Sequence, residues 1–272
     1  YDLFGGSGCI SANVNAKKII YNEINDNIVE LYKLFLNYTP EELDIKIKAY
    51  IEEYNLNKEG ENVKENDPAT KVIREFYNNN YINFRKSYND SSRDYIMLYT
   101  LTFYSFSNLI RFNSNNDFNM PYGNRCYKRK HYEQIQKWYD MIKDKKIEIS
   151  QVSAFDILTD TIFNMNDFIY LDPPYSNTLA VYNEKRAFGG WTIDDDKKLF
   201  IILEKLNKCG VRWGMSNVFV NKGHENTHLI NWCEKNNWNV HHLNMNYSAL
   251  GKGNSGSDEV YICNYDTFDD LD

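Results

Sequence analysis

The 272-residue sequence predicts an α/β fold, a Rossmann-like sheet interrupted by an inserted, mainly helical region. Three observations predict it. Short apolar runs alternate with amphipathic helical stretches near both ends of the chain, the order that builds a mostly parallel sheet. Residues from about 40 to 112 instead show helical periodicity almost throughout. The run Phe168-Ile169-Tyr170-Leu171 stops abruptly at Asp172-Pro173-Pro174-Tyr175. It reads as a buried strand ending at a sheet edge, beyond which α/β folds bind their ligands.

Taken in order, Tyr1 to Phe4 reads as the end of a strand, followed by the loop Gly5-Gly6-Ser7-Gly8 and a short helix from Cys9. Lys18 to Asn22 reads as a second strand with Glu23 at its carboxyl end. Asn25 or Asp26 suits the cap of an amphipathic helix that turns Ile28, Leu31, Tyr32 and Phe35 to one face. The helical middle repeats Leu43, Ile47 and Tyr50, then Val72, Ile73, Phe76 and Tyr77, then Ile96 to Phe103. Asn55 to Asp67 reads as an exposed connection. Asn113 to Arg125 is Asn-rich with Pro121 and Gly123, the composition of a long functional loop or hairpin.

Strand signals return at Ile147–Ile149, Phe168–Leu171, Val211–Met215, Trp238–Leu243 and Val260–Cys263, with helices over Asp194–Asn207 and Glu225–Lys235. The last strand, Asp258 to Tyr265, is expected as an antiparallel edge. The domain reading is therefore a discontinuous α/β domain, residues 1–29 and 140–272, holding a helical domain, 30–139, with a loop at 106–125.

Hydrophobic content of 42% is ample for a core, and no apolar run reaches the length of a membrane span. The N-terminus has no signal-peptide pattern. Five scattered cysteines without C-x-x-C spacing read as reduced intracellular thiols and no zinc site, so a cytoplasmic location is expected. His224, His228, His241 and His242 lack acidic or cysteine neighbours in a metal-ligand spacing and read as ordinary histidines. No metal is expected. Net charge is −7. Yet Arg111, Arg125, Lys128, Arg129, Lys130 and His131 crowd one short stretch, and an acidic body with one basic cleft is compatible with DNA.

Asp2-x-Phe4-x-Gly6-x-Gly8 lets a backbone approach a ligand closely, and Glu23 after the next strand can accept both hydroxyls of a ribose. Alone, such a loop is equally a tight turn. It matches neither the dinucleotide pattern G-x-G-x-x-G nor a P-loop, so S-adenosylmethionine becomes the better ligand. Phe155 and Asp156, past the 147–149 strand, could serve an adenine ring and its amino group; a helix N-terminal acid explains Asp156 as well. Asp172 offers a strong acceptor and Tyr175 a flat face for a base, a pairing that suits a planar ring carrying an exocyclic amine.

Glycine loop, strand-end acid, helical insertion and Asp-Pro-Pro-Tyr, in that order, resemble the alpha-class N6-adenine DNA methyltransferases of the Dam family, D12 class, most closely the T-even phage type. The resemblance is carried by Asp2 to Gly6, Asn22-Glu23-Ile24, Phe106 to Arg111, Asn119 to Arg125, Asp172 to Tyr175, Trp213 to Asn217 and Ser257 to Tyr261. It implies a Rossmann-like S-adenosylmethionine-dependent methyltransferase sheet with an inserted target-recognition domain. Cofactor contacts would fall on Asp2, Phe4, Gly6, Ser7, Gly8, Glu23, Ile24, Phe155, Asp156 and Asp172. Catalysis would fall on Asp172, Pro173, Pro174 and Tyr175.

The resemblance further implies double-stranded DNA as partner, with Arg111 and Arg125 reaching phosphate and guanine, Arg125 being the better guanine reader. Ser107, Leu109 and Pro121 would line thymine and adenine contacts, Asn119 would join them, and Phe106 would wedge the stack. Lys128, Arg129 and Lys130 would take phosphates. The implied target is GATC, in a restriction-modification or phage setting. Two departures stand out. Glu23 replaces the usual Asp, and family members carry a Gly/Lys-containing segment before the first strand that helps hold the methionine end of the cofactor. That end of the pocket is expected to be unusual or completed by residues outside the sequence. Methylation of an RNA adenine or a cytosine N4, or a catalytically silent DNA-binding subunit, are the competing readings.

Overall fold

The computed structural model describes residues 1–61, 68–91, 93–176, 191–221, 223–243 and 257–266. Two compact units emerge, residues 1–24 with 146–272, and residues 25–145.

The first unit is built on one sheet. After the short helix α1 (Cys9–Asn13) come β1 (Ile19–Asn22), β2 (Ile147–Ser150), β3 (Phe168–Leu171), β4 (Arg212–Asn221), β5 (His224–Glu225), β6 (Asn239–Leu243) and β7 (Asp258–Cys263). β1 pairs parallel with β2, and β3 parallel with β4. Residues 1–3 join these halves. Asp2 bridges Tyr21 and Tyr170, both in parallel, while its amide donates to the Ile20 carbonyl and Leu3 donates to the Tyr170 carbonyl. The order across the sheet is β2, β1, residues 1–3, β3, β4, β7, β6, with β5 folded back on β4. The winding therefore reverses at residues 1–3. A crevice opens there beyond the carboxyl ends of the strands, the place where open α/β sheets take ligands.

Three helices connect the later strands: α7 (Ala154–Asp160), α8 (Ile193–Lys208) and α9 (Thr227–Asn236). A capping box of Thr192 and Asp195 starts α8, and Asn237 in the left-handed conformation ends α9. Leu199, Leu203, Trp213, Leu229 and Ile262 are fully buried. Phe200 and Trp232 stack at 4.2 Å beneath them.

One expectation is overturned here. The final strand is antiparallel but is not an edge, because β7 lies between β4 and β6. Val260 and Ile262 of β7 are fully buried, whereas β6 carries His241 and His242 and is partly open to solvent. A polar strand tolerates the edge better than an apolar one.

The second unit is helical: α2 (Asp26–Asn37), α3 (Pro40–Glu53), α4 (Pro68–Asp90), α5 (Tyr95–Tyr104) and α6 (Arg129–Ile142). Asn25, Thr39 and Asp94 cap α2, α3 and α5. Every residue of α5 from Ile96 to Tyr104 except Tyr99 is buried, so this helix is the axis of the unit and is apolar all round. Leu43, Ile47, Tyr81, Phe84 and Leu98 fill the core around it.

The joints fall at 24/25 and 145/146, not at the expected 29/30 and 139/140. Helices do not split: α2 buries Val29, Leu31 and Tyr32 against α5 and α6, and α6 runs on to the buried Ile142. Nor is the 55–67 connection wholly exposed. Leu56 and Asn57 are buried, with Asn57 accepting hydrogen bonds from Tyr104 and Tyr122. Its residues 62–67 lie outside the described ones.

Candidate active site and nucleic-acid interface

At the switch point the glycine loop and the second strand hold each other. Gly6 and Gly8 adopt positive φ (47° and 76°), which glycine enters without strain. The Gly6 amide donates to Glu23 Oε2 at 2.9 Å, and Tyr21 Oη donates to the Gly6 carbonyl at 2.6 Å. Asn22, buried, clips the neighbouring strand and loop together through the Leu3 carbonyl and both backbone groups of Val152. Asp2 is buried too. Its Oδ2 accepts from Ser11 at 2.7 Å, while Oδ1 has no partner among the described residues. Burial raises its carboxyl above the ordinary range. Phe4 and Glu23 are half-buried, Gly8 buried, and Ser7 and Ile24 exposed.

Across the crevice, Asp172 to Tyr175 leaves the carboxyl end of β3. Tyr175 Oη donates to Asp172 Oδ1 at 3.2 Å. Pro173 is buried and Pro174 and Tyr175 half-buried. Asp172 is open to solvent on one side, yet its carboxyl is pushed up to about 6. The surrounding protein is the first cause, with the negative charges of Asp2 and Glu259 adding to it and the Tyr175 hydroxyl opposing. Behind it, Tyr170 Oη shares a hydrogen bond with Ser216 Oγ at 2.7 Å, and burial lifts that phenol to about 12.

Phe155 and Asp156 lie in the first turn of α7, which Ser153 caps. Asp156 is exposed. Phe155 stacks on Trp191 with ring centroids 5.5 Å apart, and Lys198 Nζ sits 4.1 Å from the same ring.

The donor set fits S-adenosylmethionine. The crevice gathers carboxylates, Asp2, Glu23 and Asp172, and an orphaned buried acceptor on Asp2, which suit a ligand bearing ammonium and sulfonium charges and a ribose. A phosphate-bearing cofactor would meet repulsion there.

In the second unit, residues 105–123 form a hairpin-like excursion. Bridges join Ser105 to Tyr122 and Phe112 to Phe118. Its inner edge is anchored on α4: Tyr81 and Arg85 donate to the Met120 carbonyl, and Asn89 pairs with both backbone groups of Phe118. Its outer edge is presented. Phe106 and Leu109 are 57% and 55% exposed, and Ser107, Arg111 and Pro121 are exposed beside them. Arg111 Nε donates to Asn119 Oδ1 at 2.8 Å, and Arg125 donates to Asn108 Oδ1 at 2.6 Å. Each guanidinium is thus held by an amide with other N–H groups left over.

Lys128 caps α6, its amide donating to His131 Nδ1 at 2.9 Å. Lys128, Arg129 and Lys130 are exposed, though Arg129 is half-committed to Glu133 at 3.2 Å. Arg125, Lys128, Lys130 and His131 line a cleft of about 270 Å³ with Asn57 and Asn108.

Sequence reasoning assigned no role to several of these groups. Asn108 and Asn57 are ordinary surface types whose role appears only with their partners. Glu259, Tyr170, Ser216, Trp191 and Lys198 come from strands and helices far apart in sequence, and no spacing links them. Among the described residues no helix is long and apolar enough to cross a membrane, and no cluster of His, Cys, Asp or Glu could hold a metal ion.

A family model for the D12 class N6 adenine-specific DNA methyltransferases matches residues 1–248. The modification methylase StsI of Streptococcus sanguinis is 33% identical over 98% of this chain and 39% of its own length. The type II methyltransferase M.FokI of Planomicrobium okeanokoites has the same figures. A DNA adenine methylase of Escherichia coli is 24% identical over 66% of this chain and 57% of its own. The chain spans about two fifths of the length of the first two relatives (39%). These two relatives, matched over nearly all of this chain, are named as a modification methylase and a type II methyltransferase, and neither bears on the T-even phage type that the motifs resemble. With a matched region running from the glycine loop through Asp172-Pro173-Pro174-Tyr175 and beyond, the chain belongs to the D12 class N6 adenine-specific DNA methyltransferase family.

Proposed function

We propose that the protein transfers a methyl group from S-adenosylmethionine to N6 of an adenine in duplex DNA. The observation that carries this reading is Asp172, held by Tyr175 at the carboxyl end of β3 within electrostatic reach of Asp2, while Glu23 holds the glycine loop on the other side of the switch point. When bound, S-adenosylmethionine supplies an electrophilic methyl on a positively charged sulfur. Glu23 holds the ribose, the Gly6–Gly8 backbone lies against the ligand, and Asp2 and Asp172 complement its positive charge. Asp156 and Phe155 serve the adenine end.

The adenine amine is a poor nucleophile because its lone pair is delocalised into the ring. Asp172 and the Pro173 carbonyl accept its two hydrogens and favour a pyramidal nitrogen, so the lone pair turns toward the methyl group. Positioning of this kind supplies much of the acceleration. A carboxyl near 6 is ionised at neutral pH yet basic enough to take the departing proton, directly or through water. Tyr175 stacks on a base that has left the duplex.

DNA recognition falls to the outer edge of the 105–123 excursion and the start of α6. Arg125 reads guanine, Arg111 serves as the second guanidinium, and Ser107, Leu109, Asn119 and Pro121 line the remaining contacts. Phe106, exposed on a left-handed turn, wedges the stack, and Lys128, Arg129 and Lys130 take phosphates. GATC is the target implied by the likeness of this segment to the Dam type. The fuller coverage by type II modification methylases favours a distinct modification site as the second reading. We place the protein in the cytoplasm.

Plasmid incubated with the purified chain and S-adenosylmethionine tests this, read by digestion with GATC-sensitive restriction enzymes and by mapping of methylated adenines. Protection at GATC supports the first target, and methylated adenine elsewhere supports the second. Unmodified plasmid alongside methylated RNA would contradict both.

A further inference from the structure

Asp196 takes no part in the chemistry above, yet it ties together two sides of the crevice. It lies in the first turn of α8 and is only 1% exposed. A carboxylate so deeply buried persists only when its oxygens are satisfied. Here both are: Trp191 Nε1 donates to Oδ1 at 2.6 Å, and His228 Nε2 meets Oδ2 at 2.7 Å. Each partner leads to a part of the site. The Trp191 ring stands edge-on to Phe4 of the glycine loop, centroids 5.5 Å apart, and lies parallel to Phe155. His228 Nε2 also reaches Ser176 Oγ at 3.5 Å, and Ser176 directly follows Tyr175. The same ring nitrogen faces carboxylate and hydroxyl, so the trio cannot relay a proton as a Ser–His–Asp triad does. It is a brace.

We propose that Asp196 is a positioning residue. Through Trp191 it sets the aromatic wall formed with Phe4 and Phe155 at the cofactor side. Through His228 it holds Ser176, the residue directly after Asp172-Pro173-Pro174-Tyr175, at the substrate side. The proposal rests on the methyltransferase reading of this crevice.

The two arms should separate in measurements on the full chain. Trp191→Phe keeps a ring but removes the N–H donor. It should weaken S-adenosylmethionine binding, measured by calorimetry without DNA, about tenfold, the scale of one lost hydrogen bond to a charged group. Its effect on kcat should be smaller. His228→Ala should do the reverse, lowering kcat about tenfold with less than a twofold change in cofactor dissociation constant. His228→Gln, which restores a donor toward Asp196, should recover much of that loss. Asp196→Ala should show both defects if it folds, and the single-arm variants decide the matter if it does not. Active wild-type protein with variants that lose cofactor affinity and kcat in proportion, or not at all, would overturn the brace while leaving the methyltransferase reading intact. Wild-type protein that neither binds S-adenosylmethionine nor transfers methyl groups would remove that reading, and the brace with it.

Discussion

Asp172 answers to two opposed demands. In the proposed reaction its carboxylate must be charged to accept an amine proton, yet the protein around it and the charges of Asp2 and Glu259 favour the neutral form. Activity as kcat/KM should therefore fall as pH drops through about 6, in a profile that loses this limb when Asp172 is replaced. Stability runs the other way. A carboxyl raised in the folded state favours folding while protonated, and that contribution is lost as pH rises through about 6. Asp172→Asn should thus be inactive yet melt no lower than wild type above that pH; a clearly lower melting temperature would mean the charge is structural. Asp172→Ala should cost about 100–1000-fold in methyl transfer, the scale of one lost preorganised partner, with cofactor-free DNA binding largely kept. Glu23→Ala should weaken S-adenosylmethionine by about 1.5–3 kcal/mol by calorimetry, and unchanged affinity would dismiss the ribose assignment.

At the scale of elements, the 105–123 hairpin has an inner edge anchored on α4 and a displayed outer one. Gly123 makes that possible. A Cβ there would come within 2.5 Å of the Ser105 carbonyl oxygen, so the strands could not close on each other. Gly123→Ala should loosen the hairpin and weaken DNA binding while leaving calorimetric cofactor affinity unchanged. Equal loss of both would assign the residue to global stability. Just beyond the displayed edge, Arg125→Ala should cost about 1–3 kcal/mol of discrimination at one guanine. Lys128→Ala should weaken every duplex alike and reduce the slope of log affinity against log salt by about 1. If Arg125→Ala instead weakens all duplexes equally, Arg125 is a phosphate clamp and Arg111 the better reader. The Pro- and Gly-bearing excursion was legible in sequence because turn chemistry is local. Asn119 was named only as a DNA contact; that its amide holds Arg111, as that of Asn108 holds Arg125, was not separable from the Asn-rich background.

For the whole molecule, the alternation of strands and helices foretold the α/β unit and its helical insertion, since burial periodicity is written along the chain. What it could not foretell depends on neighbours distant in sequence. Residues 1–3 read as a strand end, but only pairing to both Tyr21 and Tyr170 makes them the join between the two halves of the sheet. The last strand read as an edge because it follows β6, and its apolar burial instead places it inside. Asp196 and His228 carried no motif at all, and their joining of Trp191 to Ser176 exists only in three dimensions. Asp172-Pro173-Pro174-Tyr175 stands out in the sequence because its four residues are contiguous at one strand end. The account stands or falls on what that constellation does to a base. Duplex DNA treated with the purified chain and S-adenosylmethionine, digested to nucleosides and analysed by mass spectrometry, measures this directly. The account predicts N6-methyladenine, formed about 100–1000-fold more slowly by Asp172→Ala. Methylated cytosine, or no methylated nucleoside from a chain that binds the cofactor, would contradict it.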